Sequence, residues 1–207
     1  MVYITSINYT PGGKTIVTLS DHNKYTLSAA DISSLGLSVE NEVSEEQIKE
    51  IKERSARFNA YNKAASSLSR SDFSKKGLVR RLRERGISEE LAVSTVEQFE
   101  KKGYINDVEY ANRIARFYSE EKNFGKRRVL SELLKREIDI DLANSVLQDL
   151  DIDDDENIIK LYKKKFMKED ISQLKVKKKV SDALLRYGYT YENIRSLFYK
   201  LEIEEDI

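Results

Sequence analysis

The chain has no cysteine and no tryptophan, and only one proline and one histidine among 207 residues. Without cysteine there is no disulfide, no thiolate nucleophile and no sulfur-ligated zinc, which fits a reducing cytoplasm. The single histidine, His22, lies between Asp21 and Asn23 in a turn-rich stretch. No serine occupies a strand–turn–helix elbow, so no rigid base–nucleophile pair of the hydrolytic kind is expected. Gly12-Gly13 lacks a following Gly-Lys-Ser/Thr and makes no phosphate loop. No apolar run approaches the roughly 20 residues of a membrane span. Residues 1–5 carry neither a basic region nor a long apolar run, so no signal peptide is expected. These absences argue against an enzyme and against a resident cofactor or metal.

What the chain has is charge and helical periodicity. Its net charge is zero, but unevenly placed. Three acidic stretches, residues 40–53, 149–156 and 202–206, together carry −14, which leaves +14 on the rest. A near-neutral chain therefore conceals a basic body, and a polyanion responds to the local field rather than the total. The run from Asp149 through Asp151 and Asp153 has the alternation of a calcium loop's first ligands. The loop's sixth position is Asp154 instead of glycine, however, and its twelfth is Lys160 instead of glutamate. These acids are expected to cap the helix that follows and to stay solvated, away from DNA.

Residues 2–27 read as a small antiparallel hairpin or meander, with turns at residues 10–13 and 21–24. Ser28 is placed to cap a short helix over residues 29–35, stopped by Gly36. Ser44-Glu45-Glu46-Gln47 is a capping box that opens a long helix ending near Ser69. Beyond it the chain repeats with a period of 51. Leu78, Val129 and Val180 correspond, as do Leu82, Leu133 and Leu184. Ala92, Ala143 and Ile194 follow in register, and Ala60, Ala111 and Tyr162 match upstream. Each copy predicts three helices, giving residues 44–107, 108–151 and 152–207 behind a β-rich segment over 1–43. Such units stack and bury their apolar faces on one another. At the second turn of each copy stand Gly86, Glu137 and Gly188, so the middle turn is expected to differ. Gly103-Tyr104-Ile105-Asn106-Asp107 joins the first two copies: Gly103 can take positive φ past a helix end, and Asn106 or Asp107 can cap the next helix.

The basic clusters obey the same period. Lys75, Lys126 and Lys177 correspond, then Lys76, Arg127 and Lys178, then Arg128 and Lys179 with Gly77 in the first copy. All are expected where the second helix of a copy begins, and Arg80 and Arg81 extend the first cluster. Cations there oppose the helix dipole, and a repeated penalty points to a partner outside the helix, such as a phosphate backbone or an acidic helical polymer. The interleaved aromatics fit core positions better than base stacking.

With these residues in view the chain resembles the RecX family, regulators of the RecA recombinase. The similarity lies in Gly103, Tyr104, Asn106 and Asp107 with Tyr110 and Ala111, and in the segment from Lys122 through Gly125 and Arg128 to Glu132-Leu133. Ser74 with Leu78, Leu82 and Gly86 is similar to a third family segment, with Gly77 where glutamate is usual. The resemblance spans about residues 55–205; the strands lie outside it. It implies a mostly α fold, three tandem three-helix repeats forming an elongated, curved body, with the strands as an N-terminal extension. It implies a non-enzymatic protein, expected here to be a monomer, that lodges in the groove of a RecA filament on single-stranded DNA. There it would block strand exchange and ATP turnover or promote disassembly. Direct binding to double-stranded DNA stays open beside this, since helix pairs in each copy resemble a helix-turn-helix. Glu89, Glu90, Glu97 and Glu100 on the recognition-helix candidate argue against it.

Overall fold

A computed structural model describes the backbone of residues 1–205 and the side chains of residues 1–202. Asp206 of the C-terminal acidic stretch lies outside the described residues, as do the side chains of Glu204 and Glu205. The chain divides into two compact units, Met1–Ile105 and Asn106–Ile207, so the division falls inside the joint that the sequence marks.

In the first unit, β1 (Val2–Tyr9), β2 (Thr15–Leu19), β3 (Lys24–Leu27) and β4 (Glu42–Val43) form an antiparallel sheet in the order β3-β2-β1-β4. Alternation along β2 puts Val17 and Leu19 inside, with Ile4 of β1 and Leu27 of β3. The short helix α1 (Ala29–Ser34) has its capping box on Ser28 and Asp31, and Gly36 follows at φ +61°.

The long helix α2 (Glu45–Leu68) opens on the capping box at Ser44 and Gln47. Ile51 in its first half is fully buried in the sheet's core, and Ser55 accepts a 3.0 Å hydrogen bond from the Thr26 amide. Arg54 bridges Asp31 of α1 and Glu50, at 3.1 and 2.6 Å. The second half of α2 carries Ala64 into a different core, with Leu78 and Leu82 of α3 (Lys75–Glu84) and Val96 and Phe99 of α4 (Glu89–Lys101). One helix therefore serves both the sheet and the first helical triplet.

The second unit holds the other two triplets. The middle one comprises α5 (Asp107–Arg116), α6 (Lys126–Leu134) and α7 (Ile140–Asp149), around Ala111, Val129, Leu133 and Ala143. The last comprises α8 (Asp154–Lys165), α9 (Leu174–Arg186) and α10 (Tyr191–Glu205), around Leu161, Val180, Leu184 and Tyr189. The Leu78, Leu82, Ala92 and Ala60 triples, and Val96 with its counterparts Leu147 and Phe198, are buried in all three copies, which is what a true structural repeat requires.

One detail differs from expectation and another was not anticipated. The middle turn does not change shape: Glu137 stands at φ +59°, beside +80° at Gly86 and +95° at Gly188. The same pair of hydrogen bonds closes all three turns, from Gly86, Glu137 and Gly188 back to Arg83, Leu134 and Leu185, and from Ile87, Ile138 and Tyr189 back to Leu82, Leu133 and Leu184. These paired bonds satisfy carbonyls at the helix end, and that satisfaction outweighs the steric penalty of a side chain at positive φ. In addition, the helix runs on past the end of α5 as a π-helical turn, Phe117–Glu121, closed by the Lys122 amide on the Phe117 carbonyl at 3.2 Å.

Candidate nucleic-acid and protein interface

The basic residues begin from helix starts, as expected, in two copies. Lys75 and Lys126 are the first residues of α3 and α6. The third copy departs: α9 begins at Leu174, so Lys177, Lys178 and Lys179 lie about one turn inside it. No side chain caps α9, and the helix runs back to Gln173, where an Asp170-centred turn stops it.

The first lysine of each outer copy has an internal partner at the same offset. Lys75 pairs with Glu100 and Lys177 with Glu202, both at 2.9 Å. Each ties the second helix of a triplet to the third. The next residue of each copy, Lys76, Arg127 and Lys178, is exposed. Among the described residues, neither Arg127 nor Lys178 has an acid partner. Arg80 and Arg81 lie on the exposed side of α3, both beside Glu84 at 3.6 and 3.4 Å.

Arg128 belongs to a network about Glu132, whose side chain is only 9% exposed. Arg128, Lys135 and Arg136 meet its carboxylate at 2.8, 3.0 and 3.0 Å. Burial alone would raise this carboxyl, but the hydrogen bonds from Lys135 and Arg136 and the surrounding positive charge hold it below its ordinary value. Arg136 also donates to the Tyr118 hydroxyl at 2.9 Å, where the π-helical turn delivers it.

The acidic run is not wholly solvated. Asp153 caps α8, accepting from the amides of Asp155 and Glu156. Asp154 instead turns to the basic cluster and accepts the Lys126 amide at 3.0 Å, closing the open end of α6. Burial raises its carboxyl above the ordinary range. The Lys126 amide offsets part of that burial cost without cancelling it, and the contact corrects the expectation that the whole acidic run stays solvated.

The joint between α6 and α9 is close. A Cβ on Gly125 would stand 2.6 Å from the Gly188 carbonyl oxygen, and one on Gly188 would stand 2.4 Å from the Arg128 nitrogen. The Gly125 amide donates to the Tyr187 carbonyl at 3.0 Å, and the buried Tyr189 hydroxyl donates to the Asn123 carbonyl at 2.6 Å. Desolvation pushes the Tyr189 phenol well above its usual range, so it stays a donor.

The other motif residues act locally. Gly103 takes φ +75° after α4, and the Tyr104 amide returns to the Phe99 carbonyl at 3.0 Å. Asn106, not Asp107, is the cap of α5, accepting from Val108 and Glu109. Ala111 is fully buried and Tyr110 packs against the same core. Tyr104 is 64% exposed.

Residues 153–198 match the family description "RecX, third three-helix domain". A regulatory protein RecX of Xanthomonas campestris pv. campestris (strain B100) is 29% identical over 133 residues, covering 64% of this chain and 82% of that protein. The regulatory protein RecX of Clostridioides difficile (strain 630) is 29% identical over 165 residues, covering 78% of this chain and 76% of the relative. A crystal structure of regulatory protein RecX superposes with TM-score 0.67 at 18% identity, covering 94% of this chain and 98% of that one. The chain is similar to RecX proteins over most of its length. RecX from Lactobacillus salivarius, at TM-score 0.59 and 22% identity, shares the fold over 72% of this chain and 97% of its own. The first of these RecX structures covers nearly the whole chain, so its match extends well into the strand-rich start that the motifs leave out. Among the described residues, no helix is long and apolar enough to cross a membrane.

Sequence reasoning named the basic residues but missed their acids. Glu100 and Glu202, each 25 positions after a repeated lysine, were a legible signal. Glu132 and Asp154 gave none, because their partners are set by packing.

Proposed function

We propose that this chain is a RecX-family regulatory protein that acts on the RecA recombinase, binding in the groove of the RecA filament on single-stranded DNA. There it restrains strand exchange and ATP hydrolysis and alters filament stability, with no chemistry of its own. The observation that carries the reading is a division of labour inside the basic pairs. Lys75 and Lys177 turn inward to Glu100 and Glu202, whereas Arg127 and Lys178, 51 residues apart, are exposed and have no acid partner among the described residues. Internal stability accounts for the first set. A repeated anionic surface, phosphate or carboxylate, accounts for the second. The relatives named regulatory protein RecX support a regulatory role.

The test is RecA ATPase activity on single-stranded DNA with the triple variant Lys76→Glu, Arg127→Glu, Lys178→Glu. The expected result is loss of inhibition with unchanged helical circular dichroism. Full inhibition by the folded triple variant would overturn the basic-surface mechanism.

A further inference from the structure

Within the second unit lies a cleft of about 630 Å³ that the repeat does not anticipate. Four cations line it: Arg128 from α6, Lys165 at the end of α8, and Lys179 and Arg186 of α9. Lys179, Ala183 and Arg186 follow helical spacing and share one face, and Tyr187 continues it. Rings of Phe124 and Tyr187, 5.5 Å apart, form part of the wall, with Phe166 beside them. Among the described residues, no acid lines the cleft.

The cations are only partly neutralised. Glu132 meets Arg128 at 2.8 Å, and Glu169 meets Lys179 at 3.1 Å with the lysine 70% exposed. Among the described residues, Lys165 and Arg186 have no acid partner. Lys165 instead donates to the Tyr187 hydroxyl at 2.6 Å and lies 4.6 Å from that ring's centroid. Arg128 lies 5.8 Å from the centroid of Phe124.

We infer that this cleft binds a nucleotide unit of single-stranded nucleic acid, with the phosphate among the four cations and a base against the aromatic wall. A bare anion would need only the cations. An acidic peptide would find them too, but would leave the rings unused. Cations interleaved with aromatics are the combination that a flexible strand exploits, and its phosphate can draw Lys165 off the ring that a base then covers. The volume lies in the range of small-ligand sites and exceeds what one phosphate fills. The choice of DNA rests on the RecA-filament reading; the cleft itself does not.

The experiment measures fluorescence anisotropy of labelled oligothymidylate of about 12 nucleotides without RecA. Lys165→Glu with Arg186→Glu should weaken binding roughly tenfold or more. The matched control, Lys163→Glu with Lys164→Glu, makes the same charge change on exposed residues of α8 outside the cleft and should stay within about threefold. An abasic strand of equal length should bind roughly fivefold more weakly than oligothymidylate. Equal losses in the two double variants would reduce the cleft to a diffuse field and overturn the proposal. Equal binding of the abasic strand, or equal competition by a glutamate oligomer, would overturn it as well. RecA is absent from the assay, so failure here leaves the regulatory reading standing, and failure of the triple variant to lose RecA inhibition leaves the cleft standing.

Discussion

Gly86 and Gly188 hold the same turn in different copies and should respond differently to one methyl group. A Cβ at Gly86 meets nothing within 4 Å, so Gly86→Ala carries only the backbone penalty, about 1 kcal/mol. Gly188→Ala adds contact with Arg128 at 2.4 and 2.5 Å and should cost roughly 3–5 kcal/mol in urea unfolding. Glu132 is the other residue under tension. Its carboxyl lies below the ordinary value in the fold, so its stabilisation is complete above the unfolded carboxyl's range and is lost as pH falls through the lower folded value. Glu132→Gln should cost about 2–3 kcal/mol at neutral pH and flatten the stability curve below about pH 4.5. Neither role was legible in sequence. Gly125 and Glu132 were visible as motif letters, but what they touch is fixed by residues distant in the chain or by burial.

Among the elements, periodicity and capping chemistry were good guides. Ser28, Ser44 and Gly36 marked their helix boundaries, and Asn106 stood in a stretch that already read as a stop and a start. The π-helical turn and the early start of α9 escaped, because neither is announced by a cap or a breaker; the turn pays off only through Tyr118, which stacks on Phe124 and meets Arg136. The division of α2 between two cores also escaped, since a single amphipathic stripe does not say which neighbours cover each half. It has a measurable effect. A chain beginning at Ser44 would leave Ile48 and Ile51 without the sheet, and burial of one such side chain is worth about 1.5–3 kcal/mol. Its thermal midpoint should fall, and helicity should decrease beyond the loss of α1 alone. An unchanged midpoint would show that the sheet contributes nothing to α2.

For the molecule as a whole, the 51-residue period was the strongest signal in the sequence, and the buried triples bear it out. Charge was less transparent: the period located the cations, while the structure showed that some, such as Lys75 and Lys177, are held by acids and others, such as Arg127 and Lys178, are left outward among the described residues. The contact of Gly125 with Gly188 extends this beyond geometry. In an ordinary solenoid each copy opens almost alone, and terminal copies fray first. Here main chain rests on main chain, and the Gly125 amide ahead of α6 is held by the Tyr187 carbonyl at the end of α9, so loosening either end frees that bond. Deuterium uptake at Val129 and at Val180 should therefore report one shared opening, and Gly188→Ala should accelerate both together.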